Sequence, residues 1–261
     1  MIICGDNSKI MAGFPSNYID LTLASPPYDD LRVYNGYSWD FEALARHLYR
    51  VTKEGGVLVW VVADMVINGS YSGSSFRQCL GFMDAGFRLH NPMIWNKGVF
   101  TSSQSNRYTQ TFEYMFVMSK GKASACNQIK DRKNDVKKAG SVISGIKSNP
   151  KGERVKMDEG SRTHNVVGVR FSVWDTPPEM SNTKRTSHPA QFPEALARDH
   201  ITSWSNVGDL VFDPFLGSGT TAKMAIETGR RFVGIDISEE YCHLARRRIE
   251  SAKTPLFPGV F

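Results

Sequence analysis

The sequence predicts an α/β fold: a mostly parallel sheet with helices on both faces, interrupted by one basic insert. Three observations predict it. Short apolar runs alternate with stretches of helical periodicity over the first hundred residues. The run VLVWVVA (57–63) holds no polar residue, which marks a strand buried on both faces. In the middle of the chain this rhythm gives way to a stretch rich in Lys, Asn, Ser and Gly, and it then returns until the end.

Taken in order, MIIC (1–4) and IDLTLA (19–24) read as strands. WDFEALARHLYRVTK (39–53) has helical spacing, with Phe41, Leu44, Ala45 and Leu48 on one face, and Gly55-Gly56 is expected to stop it. After VLVWVVA come a helix, SFRQCLGFMDAG (75–86), and two strands, FRLHNPMIWNK (87–97) and FEYMFVMSK (112–120). From Gly121 to Thr163 the apolar residues are too few for an independent core. Regularity resumes with VVGVRFSVWD (166–175), the helix FPEALARDHITSWS (192–205), the strand GDLVFDPF (208–215), the helix SGTTAKMAIETG (218–229), the strand RRFVGIDI (230–237) and the helix SEEYCHLARRRIESA (238–252). No repeat is visible. The expected organisation is one α/β domain made from residues 1–98 and 187–261, with 99–186 inserted.

Charge is localised. The chain of 261 residues carries +6, yet between Lys120 and Arg170 there are 13 Lys or Arg against 5 Asp or Glu, which leaves the remainder at about −2. A basic segment of this kind suits a polyanion, nucleic acid above all; its bland alternative is a solvated insert. The four cysteines form no CxxC pair and read as reduced thiols, and the six histidines form no HExxH, so neither a disulfide framework nor a metal is implied. With no run of eighteen apolar residues and no signal-peptide pattern at MIICGDNSK, a cytoplasmic protein without a membrane partner is expected.

Two motifs carry chemistry. In VFDPFLGSGTTAKMA (211–225) a strand runs into an Asp-Pro turn, and Gly217 and Gly219 then open a helix, the place where open α/β sheets bind nucleotide-like ligands. Such glycines let backbone approach a ligand, and a helix N-terminus offers N–H groups to a carboxylate. Ala222-Lys223-Met224 rules out GxxxxGK[ST], and Thr220-Thr221-Ala222 rules out GxGxxG. About twenty residues on, Asp236 ends the next strand, where an acidic side chain typically holds ribose hydroxyls; Ser238 beside it reads as a helix N-cap. The second motif is Ser25-Pro26-Pro27-Tyr28, directly after the strand IDLTLA.

DPFLGSGTT and SPPY together resemble the cofactor and catalytic motifs of the S-adenosylmethionine-dependent DNA amino-methyltransferases, which methylate N4 of cytosine or N6 of adenine. With SPPY first, the basic insert in the middle and the glycine motif last, the order is similar to the family's β group, a circularly permuted Rossmann-like methyltransferase sheet. The resemblance covers residues 1–98 and 187–261.

The resemblance implies S-adenosyl-L-methionine as cofactor and double-stranded DNA as substrate in a bacterial or phage-infected cell, and it leaves open both a homodimer and a separate restriction endonuclease as further partners. It also implies roles. The amino nitrogen of a base is a poor nucleophile, because its lone pair is delocalised into the ring, and a duplex hides it, so the base must be flipped out. Ser25 and the Pro26 carbonyl would accept the two amino hydrogens, Pro27 would help lock the turn, and Tyr28 would stack on the flipped ring. Asp213, Pro214, Phe215, Gly217, Ser218, Gly219, Thr220 and Asp236 would form the cofactor pocket, with Asp6 near adenosine. Gln191, Phe192 and Pro193 would line the methionine side, and Phe192 departs from the Lys-Pro common there. His188 reads as a turn residue, and Trp95, Asn96 and Lys97 as either pocket lining or a strand end.

Ser in the first motif position points to N4 of cytosine, with N6 of adenine as the alternative; an RNA or protein-amide methyltransferase and a non-catalytic nucleic-acid-binding module are more remote. The C5-cytosine reaction needs a nucleophilic cysteine, typically after proline, and no Pro-Cys occurs. In the basic region Gln104, Asn106, Arg107, Gln128, Arg132 and Asn134 are the candidates for reading base edges.

Overall fold

The computed structural model describes residues 1–27, 40–98, 106–134, 146–149, 151–156, 165–178 and 193–253. Along the chain run β1 (Ile2–Cys4), α1 (Asn7–Ala12), β2 (Ile19–Ala24), α2 (Phe41–Val51), β3 (Thr52–Val62), β4 (Val66–Ile67), β5 (Ser70–Tyr71), α3 (Ser74–Asp84), β6 (Arg88–Asn96) and β7 (Phe112–Ser119). They are followed by β8 (Lys130–Lys133), β9 (Ile146–Ser148), β10 (Arg154–Lys156), β11 (Val167–Val169), β12 (Val173–Asp175), α4 (Glu194–Trp204), β13 (Leu210–Asp213), α5 (Thr220–Glu227), β14 (Arg231–Asp236) and α6 (Glu239–Lys253). The chain divides into two compact units, Met1–Asn127 with Ser172–Phe261, and Gln128–Phe171.

The first unit is built on an eight-stranded sheet of order β1-β14-β13-β2-β3-β7-β6-β12. β1, β14, β13, β2 and β3 are mutually parallel. β7 is antiparallel to both β3 and β6, so it is the reversed strand of the sheet, and β12 runs parallel to β6 at the edge. Val57 to Val62 of β3 are all buried, as a strand covered on both faces requires. Alternation divides the side chains between two layers. On one face Leu58, Trp60, Val62, Val233 and Ile235 pack with Leu44 and Leu48 of α2 and Phe82 of α3. On the other, Ile2 and Phe232 pack with Ala222 of α5 and Ala245 and Ile249 of α6.

α2 begins with Asp40, whose Oδ1 accepts the Ala43 N–H at 3.0 Å, and buries Leu44, Ala45, Leu48 and Val51. Its end differs from the sequence expectation. Gly55-Gly56 do not stop the helix; they lie inside β3, which starts at Thr52. The helix stops because Thr52 turns extended, returning its hydroxyl to Leu48 O at 2.6 Å, while Lys120 Nζ donates to Tyr49 O and Thr52 O, each at 3.0 Å.

The second unit holds two antiparallel strand pairs among the described residues, β8 with β11 and β9 with β10, the latter pair lying in sequence between β8 and β11. Two of its arginines have structural work. Arg132 donates to Val169 O at 2.8 Å and lies over the Phe171 ring, and Arg170 forms a two-pronged ion pair with Asp131. Asn134 Nδ2 donates to Asn165 O at 2.7 Å. Strands such as Lys130–Lys133 have no apolar alternation to announce them.

Candidate active site

The strand order places the site. β13 connects through α5 to β14 on one side, while β2 connects through α2 to β3 on the other, so the connections diverge between β13 and β2. Ligands of open α/β sheets bind in the crevice beyond the carboxyl ends of strands at such a point. β13 and β2 pair in parallel, Val211 against Leu21 and Phe212 against Thr22, so Ser25-Pro26-Pro27 and the Asp213-Pro214-Phe215 turn leave the same edge of the sheet side by side. Pro26 is buried, and Ser25 and Pro27 are half-buried. Tyr28 and Phe192 lie outside the described residues, as do Gln104, His188 and Gln191.

Hydrogen bonds knit the glycine turn to its neighbours. Asp213 Oδ1 accepts the Phe215 N–H at 2.9 Å. Asp236 Oδ2 accepts the Gly217 N–H at 2.7 Å, and its Oδ1 accepts the Ser238 N–H at 2.9 Å. Leu216 N–H donates to Ile235 O at 2.9 Å. Gly217 and Gly219 both have positive φ, 50° and 83°. Gly219 has a packing reason as well: a Cβ there would sit 2.8 Å from the Ala245 Cβ, so α6 closes on this turn only where the side chain is missing. Ser238 stands where the sequence put an N-cap, its Oγ 3.4 Å from the Tyr241 N–H.

Asp6 is the N-cap of α1, its Oδ1 accepting the Lys9 N–H at 2.9 Å; the sequence showed only a turn there because α1 is six residues long. Gly5 N–H donates to Asp236 O at 2.9 Å, and Asn7 Nδ2 donates to Pro214 O at 3.2 Å. The ends of β1, β14 and β13 are therefore stitched into one rim. Asn7 was not singled out by sequence reasoning.

Two carboxyls sit in this rim. Burial, aided by the nearby Asp236 charge and opposed by the Thr221 hydroxyl and the Phe215 N–H, pushes Asp213 up to about 7. Burial also raises Asp236, against the N–H groups of Ser238, Gly217 and Ile237. α5 has Gly219 as its N-cap residue and no side-chain cap among the described residues.

A polar cluster missed by sequence reasoning flanks the turn. Arg248 Nη1 donates to Ser218 Oγ at 2.9 Å and Thr220 Oγ1 at 3.0 Å, and its Nη2 donates to Glu194 Oε1 at 2.5 Å. Lys223 Nζ donates to both Glu194 oxygens at 2.7 Å. Nothing in the string RRR marks the third arginine except its helical phase, three residues after Ala245.

The softer candidates have protein partners of their own. Trp95 Nε1 donates to Thr176 O at 2.6 Å, Asn96 Nδ2 to Asp175 Oδ1 at 2.7 Å, and Lys97 pairs with Glu113 at 2.9 Å, which makes them a braced strand end. Arg107 donates to Gly69 O at 2.7 Å and covers the Tyr71 ring. Among the described residues no helix is long and apolar enough to cross a membrane.

A parallel sheet with one reversed strand and two motif turns at its switch point is the arrangement in which open α/β sheets bind nucleotide-like ligands. Residues 19–247 match the family model described as DNA methylase, and the chain belongs to this family of N6 and N4 methyltransferases. The orphan methyltransferase M.BamHII of Bacillus amyloliquefaciens is 52% identical over 239 residues, 89% of either chain. The DNA adenine methyltransferase YhdJ of Escherichia coli K12 is 28% identical over 267 residues, 96% of this chain and 83% of that protein. Among solved structures, the protein TTHA0409 of Thermus thermophilus, complexed with S-adenosyl-L-methionine, is 25% identical, with a TM-score of 0.65 over 98% of this chain and 96% of that one.

Proposed function

We propose that this DNA methyltransferase acts on the exocyclic amino group of a base flipped out of double-stranded DNA, N4 of cytosine, with S-adenosyl-L-methionine as donor. The observation that carries the reading is the parallel register that brings Ser25-Pro26-Pro27 and the Asp213 to Thr220 turn to one edge of the sheet. The residues fit the cofactor: a strand-end carboxylate, Asp236, for ribose, Asp6 for the adenosine end, an uncapped helix start for the carboxylate, and Pro214, Phe215, Gly217, Ser218, Gly219 and Thr220 around them.

The bound cofactor supplies an electrophilic methyl group. The chain supplies acceptors for the amino hydrogens, Ser25 Oγ and the Pro26 carbonyl, whose direction the proline ring of Pro27 and the burial of Pro26 fix. Two acceptors aimed at one amino group draw its nitrogen toward sp³ and free the lone pair. Tyr28 provides the stacking face, worth roughly 1–3 kcal/mol per base. The Lys and Arg of the basic region meet phosphates, so DNA affinity falls with salt.

Ser25, the first residue of the motif, favours cytosine. The likeness to YhdJ, named an adenine enzyme, favours N6 of adenine as the second reading. The test is transfer of label from methyl-labelled S-adenosylmethionine to unmethylated duplex DNA by the native chain and by Ser25→Ala. The variant is expected to be slower by about a hundredfold, the order lost when one preorganised hydrogen-bonding group is removed, with cofactor affinity near native. Equal rates would take Ser25 out of the mechanism.

A further inference from the structure

We infer that Arg248 is a positioning residue that clamps the glycine turn in its cofactor-binding shape, an inference that rests on reading Gly217 to Thr220 as that turn. Asp236 holds the turn at its Gly217 end, but Gly217 and Gly219 both occupy the left-handed region, which glycine by itself enters and leaves at little cost, so the Ser218 to Thr220 end needs a second hold. Its two side chains flank Gly219, and both are held by one nitrogen of Arg248, Nη1, at 2.9 Å from Ser218 Oγ and 3.0 Å from Thr220 Oγ1. The second nitrogen, Nη2, is tied to Glu194 at the first position of α4. Glu194 in turn holds Lys223 of α5, so the clamp is anchored in the two helices packed beside the turn.

The geometry of α6 explains why this residue can do it. Ala245 packs against Gly219, where a Cβ would meet it at 2.8 Å. Arg248, one turn further along the same face, projects back over the preceding turn and so reaches the two hydroxyls on either side. The guanidinium side chain is only 14% exposed and the Glu194 side chain 27%, so water competes weakly for these bonds. Burial works against the Glu194 charge, but Lys223 and Arg248 outweigh it and hold the carboxyl below its ordinary range. A planar fork can reach two hydroxyls and a carboxylate together; an ammonium group in its place keeps the ion pair but lacks the second nitrogen.

A residue with this role lowers the ordering cost of cofactor binding and leaves the chemical step alone. The experiment is calorimetric titration of S-adenosylmethionine into the full chain, with single-turnover methylation at saturating cofactor, for the native protein, Arg248→Met, Arg248→Lys and Asp236→Ala. The expected result is a cofactor Kd at least tenfold higher in Arg248→Met, with a single-turnover rate within about threefold of native. Arg248→Lys is expected to recover the native melting temperature through Glu194 yet keep the weakened affinity. Full recovery of affinity by lysine would show that the ion pair alone matters and would overturn the inference. So would an unchanged Kd in Arg248→Met while Asp236→Ala weakens binding. An unchanged Kd in both would overturn the reading of the site itself. Should Arg248→Met not fold, adding Arg248→Lys to Ser218→Ala with Thr220→Ala decides: no further loss of affinity is expected, and an additive loss contradicts the clamp.

Discussion

Asp236 closes the glycine turn onto the strand that follows it: its Oδ2 accepts the backbone N–H of Gly217 at 2.7 Å, across 19 residues of sequence. The same carboxylate takes the Ser238 N–H on its other oxygen. The Ile237 N–H is a third donor to it, so of the carboxylate's roughly four acceptor sites about one is left for a ribose hydroxyl while the others shape the turn.

Asp236→Ala is therefore expected to weaken S-adenosylmethionine binding at least tenfold, about 1.4 kcal/mol, and to lower the melting temperature of the free protein. Calorimetry and thermal unfolding check both. A variant with native affinity would move the ribose contact to another residue.

Gly219→Ala tests whether the second glycine serves packing. The added methyl group would meet Ala245 at 2.8 Å on a backbone with φ of 83°. Strain of that kind costs roughly 1–3 kcal/mol, read as a lower urea midpoint. An unchanged midpoint would mean α6 can give way without loss.

Asp213 predicts a pH dependence. Its folded carboxyl is pushed up to about 7 from an ordinary value of 3.8. The folded state thus holds this proton more tightly than the unfolded chain does, so the contribution is fully present below about pH 4 and is lost as pH rises through about 7. Asp213→Asn should match the native protein at low pH and exceed it in stability near pH 8, as measured by urea unfolding at constant ionic strength. Parallel curves across that range would contradict the assignment.

Much of this was legible in the sequence because burial writes itself as pattern. The all-apolar VLVWVVA, the helical stripe of Leu44, Ala45 and Leu48, and the glycine turn between Asp213 and Thr220 each carry a local signal that the fold obeys. What stayed hidden lacks such a signal. α1 is too short for a period, the strand Lys130–Lys133 is charged throughout, and Arg154–Lys156 holds a single apolar residue, Val155. Gly55-Gly56 looked like a helix stop because glycine punctuates helices and irregular strands alike, and β3 runs through them where its register with β2 shifts. The Arg248 clamp joins residues 28 to 54 positions apart and exists only once α6 has docked.

The most direct test of the central claim is to incubate the protein with unmethylated duplex DNA and S-adenosylmethionine, digest the DNA to nucleosides and identify the product by mass spectrometry. N4-methylcytosine is the predicted product, and N6-methyladenine would keep the enzyme and reverse the base. Methylation at C5 of cytosine, or no methylated base from DNA of varied sequence while the cofactor binds, would contradict the proposal.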